Sequence, residues 1–228
     1  MTISGINKLT LLDYPEHLAC IVFTQGCNFN CKYCHNTDLI PIKTINEINT
    51  NEVLEYLEKR KDVLEGVVIS GGEPLLQPKI KDFIKQVKEL GFKVKLDTNG
   101  TNLKLLKELV DEKLIDYIAM DIKGCDDTYS DITKSKLCTS KIKETINYIK
   151  DSGIDHEFRT TIIKCTHGIN NIKKILEIVG NDSKYYLQNF EDNESISNKE
   201  LRGFSESELK TLEKELRKEY PNVKVRGI

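Results

Sequence analysis

HLACIVFTQGCNFNCKYCHN, residues 17–36, runs an apolar, β-rich segment straight into a loop that carries three cysteines. HLACIVF (17–23) has the composition of a buried strand. Cys27, Cys31 and Cys34 follow it with three and then two intervening residues. Three thiols in so short a loop stop one short of the four protein ligands that a closed structural zinc site takes. They match an iron–sulfur cluster more naturally, because a 4Fe–4S cluster held by three cysteines keeps one iron open to a small molecule. The rival is a Cys3His zinc site using His35, which directly follows Cys34; adjacent residues rarely turn into one tetrahedral site.

Downstream of this stretch the same alternation repeats. Strand-like runs GVVIS (66–70), KVKLD (93–97), YIAMD (117–121), EFRTTII (157–163) and KYYLQ (184–188) are separated by segments of helical periodicity at 50–61, 78–90, 102–113, 140–151, 170–179 and 205–219. Six β-α units in a row predict an α/β fold, a parallel sheet with helices packed outside. That is too few for a complete eight-stranded barrel and enough for an open partial (β/α)6 barrel. Gly91, Gly153 and Gly180 stand where helix C-caps belong, and Ser205 with Glu208 resembles a capping box. EDNESISNKELRG (191–203) reads as a polar loop and VKVRG (223–227) as a short added edge strand. No linker or repeat interrupts the pattern, so residues 1–228 are expected to form a single domain.

Composition narrows the function. With 39% hydrophobic and 31% charged residues the chain reads as globular. Thirty-four basic against thirty-six acidic side chains give a formal charge of -2, which makes no general case for nucleic acid or for an anionic membrane. No apolar run approaches the roughly 18 residues of a membrane span, and MTISGINKLTLLDYP (1–15) lacks the basic-then-apolar order of a signal peptide. A cytoplasmic protein is expected. In that reducing compartment, seven cysteines point to metal binding more than to disulfides.

In parallel β/α folds the working groups gather where strands end and βα loops open. The unusual motifs fall at those ends in turn: the cysteine loop after the first strand, GGEP (71–74) after the second, DTNG (97–100) at the third and DIKG (121–124) at the fourth.

C-x3-C-x2-C after the first strand, with Tyr33 before the third cysteine and GGEP after the second strand, resembles the radical S-adenosylmethionine (SAM) superfamily. CHN (34–36), LDTNG (96–100) and MDIK (120–123) look like the glycyl-radical-enzyme activases. The opening KLTLLDYPEHLACIVFTQGCNFNCKYCHN and the closing VKVRG are most similar to the longer form of anaerobic ribonucleoside-triphosphate reductase activating protein. The resemblance implies a 4Fe–4S cluster on Cys27, Cys31 and Cys34 whose open iron chelates SAM. It further implies reductive cleavage of SAM to a 5'-deoxyadenosyl radical, and installation of a glycyl radical on a partner enzyme, here anaerobic ribonucleotide reductase. Flavodoxin or ferredoxin would donate the electron. Two alternatives stand beside it: a radical SAM enzyme acting on a small heterocycle or peptide, and a non-catalytic iron–sulfur or zinc module.

Each motif has a chemistry suited to SAM and an alternative without it. Gly71 and Gly72 allow close backbone approach, and Pro74 biases Glu73 toward an extended conformation that exposes backbone groups to the methionine ammonium; the same four residues also make an ordinary strand-to-helix turn. Asp97 and Asp121 suit a ribose hydroxyl, an ammonium or a monovalent cation, and Lys123 the SAM carboxylate. Asn99 with Gly100 is also a common turn. Tyr33 is placed either beside the adenine or as a shield for the cluster. Arg159 shares one face of its strand with Glu157 and Thr161, so it meets either SAM or a structural ion pair. Gln188, with Asn189, closes the sixth strand, where some relatives of the pyruvate formate-lyase activase type carry histidine. Cys20 reads as core and Cys125, Cys138 and Cys165 as dispersed thiols; His167 in CTHG follows the fifth strand and could face the site, the reading as a solvated loop histidine being favoured.

Overall fold

The computed structural model describes residues 1–43, 46–191 and 200–226. Among the described residues, eight strands follow one another in the sheet in chain order. They divide between two compact units: Met1–Asn28, Asp38–Thr98 and Asn102–Ala119 form the first, and Phe29–Thr37, Asn99–Thr101 and Met120–Ile228 the second.

The first unit holds β1 (Ile3–Thr10), β2 (Ala19–Thr24), α1 (Thr50–Glu58), β3 (Gly66–Gly71), α2 (Ile80–Glu89), β4 (Lys93–Thr98), α3 (Leu103–Asp111) and the start of β5 (Tyr117–Asp121). β2 pairs parallel with β3 along its whole length, from Ala19 opposite Gly66 to Thr24 opposite Gly71, and β3 pairs parallel with β4. Val67, Val68 and Ile69 are wholly inaccessible, as an uninterrupted apolar run should be in a strand covered on both faces. α2 buries Ile80, Phe83, Ile84 and Val87, the i, i+3, i+4, i+7 stripe of a helix laid on a sheet. β1 was not expected. It pairs antiparallel with β2 through an irregular register, and its outer residues Asn7, Lys8 and Leu9 are exposed.

The second unit takes the end of β5, then α4 (Tyr129–Thr133), α5 (Thr139–Asp151), β6 (Asp155–Ile162), α6 (Ile169–Val179), β7 (Lys184–Asn189), α7 (Glu206–Leu216) and β8 (Val223–Arg226). β6, β7 and β8 are parallel neighbours, so 223–226 does form the added edge strand. Ser205 and Glu208 make the anticipated capping box, and α6 stops at Gly180 with φ of 78°. Of the polar stretch 191–203, residues 192–199 lie outside the described residues, as does Gly227. The α/β class and the parallel pairing are those expected for the partial barrel. Among the described residues no helix is long and apolar enough to cross a membrane.

Candidate active site

In the first unit, β2 leaves the sheet through Gln25 and Gly26. Gln25 anchors the turn by donating from Nε2 to the carbonyls of Asp38 (2.9 Å) and Pro41 (2.6 Å), while Gly26 N–H donates to Leu39 (2.8 Å) and Cys27 N–H to Ile40 (3.0 Å). The GGEP loop binds this turn: Gly72 N–H donates to Thr24 O at 2.9 Å and Glu73 N–H to Gly26 O at 2.8 Å. A Cβ on Gly72 would lie 2.2 Å from Gly26 O, and one on Gly71, at φ 114°, 2.4 Å from Thr24 N. The close approach that demands two glycines is therefore made to the chain's own cysteine loop. Glu73 is extended, at φ -125° and ψ 107°, as Pro74 requires. Its buried carboxylate turns inward, accepting from Leu75 N–H (3.1 Å) and Thr98 Oγ1 (2.7 Å).

Asp97 accepts from Ser70 Oγ at 3.1 Å and pairs with Lys95 Nζ at 2.5 Å. Lys95 is 1% exposed. It escaped the sequence survey, though the alternation of KVKLD already puts Lys95 and Asp97 on one face of the strand.

In the second unit a chain of charges crosses β5 to β8. Asp121, at the end of β5, lies 2.9 Å from Arg159 Nε and 3.1 Å from Lys123 Nζ. Burial works against its charged form, but Arg159 and then Lys123 outweigh that and hold the carboxyl well below the ordinary range. Lys123, which burial alone would lower, is kept well above the usual lysine range by Asp121, with smaller contributions from Tyr33 and Cys31. Arg159 Nη1 also stands 3.9 Å from the buried Glu157, whose carboxylate receives a two-pronged bond from Arg226 at 3.0 and 2.8 Å. Arg226 lies 3.5 Å over the ring of Tyr186. Arg159 thus makes the structural ion pair, chiefly with Asp121. Lys123, Arg159 and Arg226 stand against Asp121 and Glu157 among the described residues. Gln188 registers with Thr161 on one side and Arg226 on the other. Asn99 forms a turn, its Oδ1 accepting from Thr101 N–H (3.1 Å) and Oγ1 (2.7 Å). Gly100 after it has φ 76°, and a Cβ there would lie 2.2 Å from Met120 Cε.

None of Cys27, Cys31 and Cys34 is in a disulfide, and each is partly buried. The backbone on either side of Cys31 docks on the end of α4, with Asn30 N–H donating to Thr133 O (3.0 Å) and Lys32 N–H to Ile132 O (3.2 Å), and Lys32 pairs with Asp131. Burial pushes the Cys31 thiol up, and Lys123 partly offsets this. Tyr33 is 4% exposed and packs with Ile132, Ile163, Phe190 and Leu201. Its buried hydroxyl has no hydrogen-bond partner among the described residues, although Lys123 and Cys31 are within electrostatic reach. His35 turns to the Glu191 carbonyl (2.9 Å) and stacks on Phe190, an arrangement that gives the zinc alternative no support. Cys20 is core, its thiol pushed up to about 12 by burial; Cys125 is buried, and Cys138 and Cys165 are exposed. His167 is wholly buried, not solvated. Among the described residues no three His, Cys, Asp or Glu side chains are drawn up as a ready-made metal-ion cage. The fit to an iron–sulfur cluster rests instead on donor chemistry: three soft thiols outside any disulfide on one short loop.

An α/β sheet with such a loop after its first parallel strand is the arrangement of a radical SAM enzyme. Residues 21–179 match the radical SAM superfamily, and the chain belongs to it; a 4Fe–4S cluster and SAM are the cofactors this membership implies. Within the superfamily the chain is 34% identical to a candidate glycyl-radical enzyme activating enzyme of Methanocaldococcus jannaschii, over 99% of this chain and 96% of that one. It is 33% identical to the pyruvate formate-lyase-activating enzyme of Clostridium pasteurianum, over 78% of this chain and 76% of the relative. Among solved structures, Streptococcus suis SuiB bound to S-adenosylmethionine shares the fold at a TM-score of 0.73 and 15% identity, over 91% of this chain and 50% of SuiB. The chain therefore spans about half the length of that structure.

Proposed function

We propose that this chain is a glycyl-radical-enzyme activase whose partner is an anaerobic ribonucleoside-triphosphate reductase. The observation that carries the activase reading is the near end-to-end similarity to the M. jannaschii protein. The reductase is favoured by the opening segment 8–36 and the closing VKVRG.

With cluster and SAM bound, the chemistry supplied is one-electron cleavage of the sulfonium–carbon bond and removal of a hydrogen atom from a glycine of the partner. Cys27, Cys31 and Cys34 would hold the cluster. Lys123 offers its ammonium to the SAM carboxylate, while Arg159 keeps Asp121 ionised and in place. The backbone of Gly71, Gly72 and Glu73 serves the methionine ammonium. Asp97, Asn99 and Gln188 are assigned to the adenosine, and Asp97 and Asp121 to a monovalent cation. Tyr33 shields the cluster from water. Residues 1–228 act as one radical SAM domain in the cytoplasm, with flavodoxin or ferredoxin as electron donor.

The test is anaerobic incubation of reconstituted protein with SAM and reductant, alone, with the cognate reductase, or with pyruvate formate-lyase. 5'-Deoxyadenosine stimulated by the reductase supports the proposal. Stimulation by the lyase alone moves the partner, and stimulation by neither protein but by a small molecule ends the activase reading.

A further inference from the structure

CTHG (165–168) sits between β6 and α6, and His167 within it closes a turn on itself. His167 N–H donates to Ile163 O at 2.8 Å, and Ile163 N–H donates to His167 Nδ1 at 3.1 Å. Because Nδ1 accepts from a backbone amide, the ring proton belongs on Nε2. Nε2 lies 3.1 Å from the carbonyl of Lys123 and donates to it. The ring also meets Tyr33 edge-on, at 6.4 Å between centroids and 70° between planes. Burial lowers the pKa and so favours the neutral ring that this arrangement needs.

One buried side chain thus joins the exit of β6, the DIK loop and the aromatic of the cysteine loop. The need for it can be read from the neighbours of Lys123. Ile122 is already fixed by β6, through its N–H to Arg159 O (2.8 Å) and its carbonyl from Thr160 Oγ1 (2.7 Å). Past Lys123 comes Gly124, which places few limits on the backbone. The His167 bond holds the residue between them, and the four-carbon side chain of Lys123 starts from that anchored backbone.

We propose that His167 is a positioning residue: by donating from Nε2 to the Lys123 carbonyl it fixes the backbone from which the Lys123 ammonium reaches past Asp121 to the carboxylate of SAM. This rests on the role given to Lys123 above. A residue that merely filled space would affect folding, whereas this one sets SAM affinity through one ring nitrogen.

Two substitutions separate the nitrogens. His167→Gln keeps an amide donor near the Nε2 position, and His167→Asn keeps an acceptor near Nδ1 but cannot reach Lys123. In the reconstituted holoprotein, titration calorimetry should show His167→Gln binding SAM within about threefold of wild type and His167→Asn about tenfold or more weaker, the scale of a lost contact to a charged group. Iron and sulfide contents should stay unchanged, and adding Lys123→Ala to His167→Asn should cost little more. Equal affinity in the two variants overturns the proposal. If His167→Asn does not take up iron, nitrogen NMR of [15N]histidine-labelled wild type decides: an Nε2–H tautomer supports the assignment and an Nδ1–H tautomer or imidazolium at neutral pH overturns it. Wild-type protein that binds SAM without dependence on Lys123 removes the role given to Lys123, and this inference with it. Lys123-dependent binding that ignores both His167 variants removes only the inference.

Discussion

Replacing Lys123 by Ala removes a partly buried cation 3.1 Å from Asp121, yet leaves Arg159 at 2.9 Å on the same carboxylate. Asp121 stays ionised, so the fold should lose only about 1 kcal/mol, as for a partly exposed pair with one partner retained. SAM should lose more. A charge-assisted contact to the SAM carboxylate disappears, worth about 1.5–3 kcal/mol. That corresponds to roughly 10- to 150-fold in dissociation constant. Lys123→Met retains the apolar stem and should behave as the Ala variant does, which isolates the charge from the packing. Titration calorimetry on the anaerobically reconstituted protein reads both numbers, with iron content as the control. Unchanged affinity in a variant that keeps its iron would refute the assignment of Lys123 to the carboxylate.

Three further outcomes are expected. Cys27→Ala, Cys31→Ala and Cys34→Ala should each abolish the site-differentiated cluster, whereas Cys125→Ala, Cys138→Ala and Cys165→Ala should retain about four irons after reconstitution; full iron in Cys31→Ala contradicts the ligand set. Arg226→Ala strips the two-pronged bond from a Glu157 side chain that is 2% exposed, and should cost about 2–3 kcal/mol, a fall of roughly 4–12 °C in Tm for a chain of this length, partly recovered by adding Glu157→Gln. Asp121, held below its unfolded pKa by Arg159 and Lys123, contributes stability that is present above the unfolded value of about 3.9 and is lost as pH falls below it; urea midpoints measured from about pH 7 to 3 should fall less steeply in Asp121→Asn than in wild type.

How much of this is legible in sequence depends on whether a residue's partners are near it in the chain. β2 to β7 were readable because buried parallel strands are short apolar runs, and the helices because their apolar stripes repeat within a few residues. β1 was missed because ISGINKLT is an exposed edge with no clean alternation, and α4 because five residues carry too little periodicity. At the site, the extended Glu73 followed from Pro74 alone, but its carboxylate belongs to Leu75 and Thr98, and Thr98 is supplied by another strand. Gly71 and Gly72 were recognised as necessary, while the Thr24 backbone and the Gly26 carbonyl that make them so were not. His167 looked solvated because CTHG is a polar tetrapeptide. Its burial is created by Tyr33, Lys123 and Ile163, two of them far away in sequence.

The central claim, that this chain moves a hydrogen atom from a partner's glycine to the adenosyl group of SAM, is tested most directly by isotope transfer. Anaerobic ribonucleotide reductase labelled with [2,2-2H2]glycine is incubated with the reconstituted protein, SAM and reductant, and the 5'-deoxyadenosine is weighed by mass spectrometry while the reductase is followed by electron paramagnetic resonance. The account requires one deuterium in the 5'-deoxyadenosine and a glycyl radical that accumulates in step with it. Unlabelled 5'-deoxyadenosine with no radical on the reductase would contradict it.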